Sequence, residues 1–287
     1  MLKGRLGLEK TRIPYVDRHG LMWLSKGRLY VSDGTLHFVT AGSQVLASGD
    51  YSIPYQNISM LLIGPGTTLT HDSLRLLARH GTGLVAIGED GVRFYASMPA
   101  GTNDSKYSRN QVRCWSDENG KRQNVIRSLY AFRMGEIFPN KDINVLRGME
   151  GARMKKTYKL LAQRYGIKWS GRHYDRSRPE LSDPPNEAIN HAATAIEAAA
   201  MIAVSATSTI PQLGFIHEDS SNSFVLDIAD LFRDKAVLPI AFSAVQKYQK
   251  ECNKMPLERI VRRIAGETIR KEKIIPKMIS KITDLFS

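Results

Sequence analysis

The sequence predicts an α+β fold, with an N-terminal β-sandwich domain over residues 1–100 followed by an all-α C-terminal domain over residues 101–287. Short segments of alternating apolar and polar residues, separated by glycine-containing turns, fill most of the first hundred residues, as in strands. A segment rich in Pro, Gly and Asn at 98–108 interrupts this pattern and indicates a linker. Beyond it, apolar residues recur with the period of an α-helix.

The N-terminal elements are predicted from their turns. Asp33-Gly34 suits a tight hairpin turn, and a second hairpin is predicted across residues 89–91. Thr70 is a good N-cap and Gly81 a good terminator for a short helix over 71–80. The strands are predicted at 28–32, 35–40, 58–63, 83–88 and 92–97.

The C-terminal part is predicted to be helical throughout, apart from loops and a strand-like segment at 213–216. The apolar stretch 192–204 is alanine-rich but too short and too polar to cross a membrane, so we expect a buried helix there and no membrane partner. The predicted helices span 110–136, 143–165, 186–207, 223–232, 239–252, 256–271 and 275–286.

The chain is basic, with 41 Lys and Arg against 28 Asp and Glu, and the excess is uneven. Residues 1–105 hold 10 basic and 8 acidic residues, a net of +2, whereas residues 106–287 hold 31 and 20, a net of +11. Because neutralised phosphates supply most nonspecific nucleic-acid affinity, we expect the second half to bind nucleic acid. The alternative is that the charge only aids solubility.

Cysteine usage and the N-terminus restrict the class of protein further. The two cysteines, Cys114 and Cys252, have no paired spacing, which argues against a disulfide scaffold, a zinc finger and a cysteine redox centre. The N-terminal residues lack a continuous apolar stretch, so we expect no secretory signal and a cytoplasmic protein.

Candidate catalytic residues are carboxylates and an imidazole within apolar segments. Glu150 lies among apolar residues of the helix predicted at 143–165, and Asp227 and Asp230 share a helix face after His217. Oxygen and nitrogen ligands of this kind suit Mg²⁺ or Mn²⁺. In a basic chain, such a site indicates a metal-assisted enzyme acting on nucleic acid.

Simpler explanations exist for each of these residues. Glu150 could pair with Arg147 or Arg153, three residues to either side. His217 could be structural, and the two aspartates could favour the positive end of their helix.

Two basic segments are candidates for nucleic-acid contacts. Arg259 and Arg262 lie on a helix whose other face is apolar, and the loop 171–178 mixes basic and aromatic groups. A solvated helix exterior explains the first segment equally well.

Four motifs follow one another along the second half of the chain: Arg147-Gly-Met-Glu-Gly-Ala-Arg153, Trp169-x-Gly-Arg-x-Tyr174, Gly214-Phe-Ile-His217 and Phe224-Val-Leu-Asp-Ile-Ala-Asp230. In this order they resemble the family of CRISPR-associated protein one, the spacer-acquisition integrase and endonuclease, and most closely its I-E-like subtype. The resemblance covers nearly the whole chain and implies a catalytic C-terminal domain.

The resemblance also implies roles for individual residues. Glu150, His217 and Asp230 would bind Mg²⁺ or Mn²⁺, with Asp227 adjacent to them in the catalytic centre. The implied DNA-binding residues are Arg93, Arg172, Tyr174, Arg233, Arg259 and Arg262.

The implied activity is insertion of protospacer DNA into a CRISPR array through attack by its 3′-hydroxyl group. The implied partners are double-stranded DNA (the protospacer and the leader–repeat), a second copy of the chain in a homodimer, and CRISPR-associated protein two. The alternatives are a metal-dependent endonuclease that acts on branched DNA without integration, and a noncatalytic DNA scaffold.

Overall fold

The computed structural model describes residues 20–43, 46–97, 105–117, 120–139, 141–173, 182–251 and 254–287. The chain divides into two compact units. The first comprises the described residues of Met1–Glu89 and Phe94–Ser105, and the second those of Asp90–Arg93 and Lys106–Ser287. The boundary therefore follows residue 105, a few residues beyond the predicted one, and the short segment 90–93 belongs to the second unit.

The described part of the first unit contains two four-stranded sheets, with strand orders β1-β5-β7-β8 and β4-β3-β2-β6. Both sheets are mixed, because β1/β5, β5/β7 and β2/β6 pair in parallel and the other pairs are antiparallel. The strands are β1 (Leu21–Leu24), β2 (Gly27–Ser32), β3 (Thr35–Thr40), β4 (Gly49–Ile53), β5 (Met60–Ile63), β6 (Thr67–Leu69), β7 (Gly83–Ile87) and β8 (Phe94–Ser97).

The two sheets and helix α1 (His71–His80) contribute to one apolar core. Leu24 and Ile63 come from one sheet, Leu29 and Phe38 from the other, and Leu77 from α1. Burial of these side chains supplies the main driving force for folding of the unit. With the helical second unit, this architecture confirms the predicted α+β class.

Turn and cap chemistry placed two elements correctly. β2 and β3 form the predicted hairpin, and Asp33 and Gly34 both have positive φ angles, of 49° and 76°. The Thr70 hydroxyl accepts a hydrogen bond from the backbone N–H of Ser73 at the start of α1, and Gly81, with φ 66°, ends the helix.

The described part of the second unit is built of helices, and the predicted helix over 110–136 is wrong. Two helices stand there instead, since Gly120 adopts φ 108° and the Asp117 carboxylate accepts a hydrogen bond from the backbone N–H of Lys121 at 2.7 Å. The helices are α2 (Lys106–Trp115), α3 (Lys121–Met134), α4 (Ile143–Arg164), α5 (Pro184–Ala206), α6 (Ser223–Asp230), α7 (Leu238–Lys250), α8 (Leu257–Lys271) and α9 (Ile274–Leu285).

Helix α5 is the centre of this unit and contacts α6, α7, α8 and α9. Small residues such as Ala195 and Ala199 are fully buried and let these neighbours approach closely. By length and composition α5 could cross a membrane, but 61% of its apolar window is buried within the protein. It is therefore accounted for as a core helix, as predicted for this segment.

The segment before α6 corrects another prediction. Residues 213–216 are irregular, with bends at 215 and 216, rather than the expected strand, and they lead to His217 in the loop before α6. After α6, residues Arg233–Val237 form one wide helical turn before α7 begins. These two irregular segments flank the helix that carries both aspartates.

Candidate active site

Four elements of the second unit bring the predicted catalytic side chains together. Glu150 projects from α4, Asp227 and Asp230 from α6, and His217 from the loop before α6. Arg133 joins them from α3, and its guanidinium contacts Glu150 and Asp230. Residues separated by up to 97 positions along the chain therefore share one site.

Asp227 organises the loop that carries His217. Its carboxylate, fully buried, accepts hydrogen bonds from the backbone N–H groups of Phe215 at 2.6 Å, Ile216 at 3.2 Å and His217 at 3.0 Å. It also contacts the Nδ1 atom of His217 at 2.8 Å. A buried carboxylate with four partners is satisfied as it stands, so Asp227 positions the site.

The orientation of His217 follows from this contact. With Nδ1 held by Asp227, the other ring nitrogen, Nε2, lies 3.9 Å from Oδ2 of Asp230. The hydrogen bond to Asp227 raises the pKa of His217 above its ordinary value, although burial of the ring acts in the opposite direction. An imidazole fixed by a carboxylate on one nitrogen and open on the other is a common arrangement for metal ligands.

The same loop is also held by residues of α2. Gln111, which is fully buried, donates to the backbone carbonyls of Ile210 and Leu213 at 3.0 and 2.9 Å. The indole N–H of Trp115 donates to the carbonyl of Gly214 at 2.9 Å. Neither residue was predicted from the sequence, because nothing local links Gln111 or Trp115 to residues 99 or more positions further along the chain.

Glu150 pairs with a residue that the sequence did not suggest. Its Oε1 atom lies 2.5 Å from Nη2 of Arg133, whereas Arg147 is exposed and Arg153 pairs with Asp234 at 3.3 Å. The predicted ion pairs with Arg147 and Arg153 are therefore wrong. The sequence offers one local signal for Arg133. It follows the buried Tyr130 by three residues and the buried Leu129 by four, which places a cation on the buried face of α3.

Burial makes a cation necessary beside Glu150. Desolvation raises the pKa of Glu150, the guanidinium of Arg133 opposes that shift, and the neighbouring carboxylate of Asp230 adds to it. Only 14% of the Glu150 side chain is exposed, so its charged form depends on a nearby positive group.

Asp230 is held by a separate chain of contacts. Nη1 of Arg233 lies 3.1 Å from Oδ1 of Asp230, and Nε of Arg233 donates to the Tyr158 hydroxyl at 3.1 Å. The Tyr158 ring stacks on Trp169, with ring centroids 5.1 Å apart. Arg233, expected from the resemblance to contact DNA, thus fixes Asp230 in this structure.

Glu150, His217 and Asp230 carry the donor atoms that a hard divalent cation accepts, but their side chains do not form a metal-binding geometry in this structure. Among the described residues, no three His, Cys, Asp or Glu side chains stand close enough to hold a metal ion. Two carboxylates and an oriented imidazole are nevertheless the ligand types that Mg²⁺ and Mn²⁺ accept. The guanidinium of Arg133 lies between the two carboxylates.

A glycine is required where the loop meets α6. A side chain at Gly214 would collide with the backbone carbonyl of His217 and with Ser223. We expect Gly214→Ala to lower the free energy of unfolding by about 1–3 kcal/mol, because the backbone there must move. Urea denaturation measures this, with Gly148→Ala as the control, since a side chain there would meet nothing within 4 Å. An unchanged stability of Gly214→Ala would contradict the packing described.

Comparison with known proteins identifies the family of this chain. Residues 123–256, which contain all the site residues above except Gln111 and Trp115, match the family model of CRISPR associated protein Cas1. The CRISPR-associated endonuclease Cas1 of Geobacter sulfurreducens is 33% identical over 276 residues, covering 96% of this chain and 87% of the relative. The chain belongs to the Cas1 family.

Other members of the Cas1 family are similarly close. The CRISPR-associated endonuclease Cas1 of Escherichia coli is 34% identical over 277 residues, covering 96% of this chain and 87% of that protein. A crystal structure of a TtCas1–DNA complex superimposes with a TM-score of 0.83 at 30% identity, covering 97% of this chain and 99% of the other.

Besides Arg233, four of the DNA-binding residues expected from the resemblance are described, three of them at α8 and one at α5. Arg93 and Arg262 both contact Glu258, at 3.1 and 3.2 Å, beside the exposed Arg259 of α8. Arg172 instead donates to the side chains of Asn186 and Asn190, at 2.9 and 2.5 Å, on α5. Tyr174 lies outside the described residues.

Proposed function

We propose that this chain is a metal-dependent DNA integrase that inserts protospacer DNA into a CRISPR array by transesterification. One observation carries the proposal: Asp227 fixes His217 so that Nε2 faces Asp230, while Glu150 stands on the far side of Arg133. Membership of the Cas1 family supports a nuclease or integrase role for this arrangement.

Glu150, His217 and Asp230 would hold the ion, Mg²⁺ or Mn²⁺, since they are the carboxylates and the imidazole that converge here. When bound, such an ion polarises a phosphate and stabilises an oxygen leaving group. His217 has to be neutral to serve as a ligand. Its hydrogen bond to Asp227, which raises the pKa of His217, therefore makes ion binding weaker below neutral pH.

The chemistry exchanges one phosphodiester bond for another. The 3′-oxygen of the incoming strand forms a bond to phosphorus, and the bond from that phosphorus to the 3′-oxygen of the target strand breaks. The attacking hydroxyl loses a proton and the departing oxygen gains one, so no other reactant is consumed. The residues of the chain hold the site for this exchange: Asp227 orients His217, and Arg233 orients Asp230.

Double-stranded DNA, both protospacer and leader–repeat, is the proposed ligand. The net charge of +11 over residues 106–287 suits it, and TtCas1 has been crystallised with DNA. Arg93, Arg259 and Arg262 lie at or beside the exposed face of α8 and would contact phosphates. Arg172 and Tyr174 are proposed contacts by resemblance alone.

Replacing Arg259 with glutamine should weaken DNA binding by a similar factor for all sequences, because phosphate contacts carry no sequence information. We expect the slope of the logarithm of the dissociation constant against the logarithm of the salt concentration to fall by about the amount that one phosphate contact contributes. Fluorescence anisotropy of a labelled duplex at several salt concentrations measures this. Arg75→Gln, which removes an exposed cation from α1, is the matched control. An equal effect of both changes would mean that only total charge matters.

The assembly is proposed from the resemblance. We propose a homodimer that works in the cytoplasm together with CRISPR-associated protein two, so that two sites act on the two ends of the incoming duplex. The I-E-like subtype is proposed as well, supported by the motifs around Glu150 and Trp169 and by the relative from Escherichia coli.

Joining of DNA tests the proposal. A fluorescent short duplex is mixed with a supercoiled plasmid that carries a repeat, with the partner protein and with Mn²⁺. We expect fluorescence to become covalently attached to plasmid, and attachment to disappear in Glu150→Gln but not in Glu251→Gln, a change at a carboxylate on the far end of α7. Nicking without attachment would favour the endonuclease on branched DNA, and binding without either product a scaffold.

A further inference from the structure

Arg133 occupies the space between two proposed metal ligands. Its Nη2 atom lies 2.5 Å from Glu150 and its Nη1 atom 3.7 Å from Asp230, so one planar guanidinium spans both carboxylates. Only 10% of the Arg133 side chain is exposed. The contact is therefore shielded from solvent, unlike the exposed pairs elsewhere on the chain.

The two carboxylates need this positive charge when no ion is present. Glu150 and Asp230 are 14% and 23% exposed, and like charges so placed repel each other. A divalent ion bound by both carboxylates would supply the same compensation, and it would have to occupy the space between them in which the guanidinium now lies. Ligand oxygens lie about 2.1 Å from Mg²⁺, which leaves no room for a guanidinium between them.

We propose that Arg133 is an exchangeable counter-ion: it holds Glu150 and Asp230 in place in the metal-free protein, and a divalent ion has to displace it. This inference rests on the proposed metal site. Arg133 would then set how tightly that site binds a divalent ion. The displaced guanidinium would remain beside the ligands. There it could donate hydrogen bonds to a DNA phosphate, since guanidinium groups bind phosphate oxygens well. DNA and the ion should therefore bind cooperatively.

The affinity for Mn²⁺ alone, measured by calorimetry, tests this proposal without any reaction. We expect Arg133→Gln to bind Mn²⁺ at least about ten-fold more tightly than the natural chain, because a competing buried cation is gone. Arg164→Gln removes an equal charge from the exposed last turn of α4, the helix that carries Glu150, and should change the affinity by less than about two-fold. Equal or weaker binding by Arg133→Gln would overturn the proposal.

A second measurement guards against a variant that folds poorly. Without metal, Arg133→Gln should unfold at a lower temperature than the natural chain, because Glu150 and Asp230 lose their counter-ion. Saturating Mn²⁺ should raise its unfolding temperature by more than it raises that of the natural chain. Arg133→Lys keeps the positive charge but loses the two-pronged guanidinium. Its Mn²⁺-induced rise in unfolding temperature should lie between those of the natural chain and Arg133→Gln. Equal Mn²⁺-induced rises in all three proteins would contradict the proposed exchange.

The linkage to DNA gives a third, independent test. A short duplex should tighten Mn²⁺ binding to the natural chain and have a smaller effect on Arg133→Gln, since the coupling passes through this side chain. If Mn²⁺ bound to neither protein, or bound as well after Asp230→Ala, the metal site itself would be refuted. Failure of the proposed function is thereby distinguished from failure of the role of Arg133.

Discussion

Replacing Asp227 with alanine is expected to lower the free energy of unfolding by about 3–5 kcal/mol, one of the largest effects of any single change in this chain. The change removes the buried carboxylate that accepts hydrogen bonds from the backbone N–H groups of Phe215, Ile216 and His217. It also removes the partner of the His217 ring. Urea denaturation of the metal-free protein measures the loss.

Asp219→Ala is the matched control, because that aspartate lies exposed two residues after His217. We expect it to change stability by less than about 0.5 kcal/mol. A similar, small effect of Asp227→Ala would contradict the structural role assigned to its carboxylate.

The dependence of stability on pH gives a second readout of the same contact. The fold raises the pKa of His217, so folding favours its protonated form. That stabilisation is fully present below the unfolded pKa, about 6.5, and is lost as pH rises through the folded pKa. We expect this loss in the natural chain and its absence in His217→Gln. Parallel curves for the two proteins would contradict the contact with Asp227.

Replacing Asp230 with alanine is expected to reduce DNA joining by about 100-fold or more, because one of three proposed ion ligands disappears. The Asp230 side chain is partly exposed, and it contacts the side chains of Arg133, His217 and Arg233. Without metal, binding of a labelled duplex should therefore stay within about three-fold of the natural chain. His217→Ala should show the same separation between joining and binding.

Joining rates and anisotropy on the same preparations make the comparison. Arg259→Gln serves as the contrasting variant, with weakened binding and an intact proposed ion site. If Asp230→Ala lost binding and joining to the same degree, the residue would belong to the DNA-binding surface and the assignment of the site would be wrong.

Local chemistry explains which parts of this structure the sequence could predict. Helix α1 was placed correctly because a cap at Thr70 and a terminator at Gly81 act within a few residues. The β2–β3 hairpin was placed correctly because Asp33-Gly34 tolerates positive φ angles. The helix expected over 110–136 failed because its apolar periodicity masked the stop at Gly120.

The geometry of the site depended on contacts between distant segments. The motifs pointed to Glu150, His217 and Asp230, and the structure brings all three into one region. No local pattern revealed that Arg133 from α3 would pair with Glu150. The spacing also did not reveal that the Asp227 carboxylate accepts backbone hydrogen bonds. Those donors reach it only once the loop before α6 has folded over it.

The position of Mn²⁺ in crystals shows directly whether Glu150, His217 and Asp230 bind the ion. Crystals soaked in Mn²⁺ and measured at the manganese absorption edge locate the ion by its anomalous scattering. We expect one strong peak contacted by Glu150, His217 Nε2 and Asp230, with the guanidinium of Arg133 moved away from Glu150. Occupancy of another site, or Arg133 still bridging the carboxylates beneath a bound ion, would contradict it.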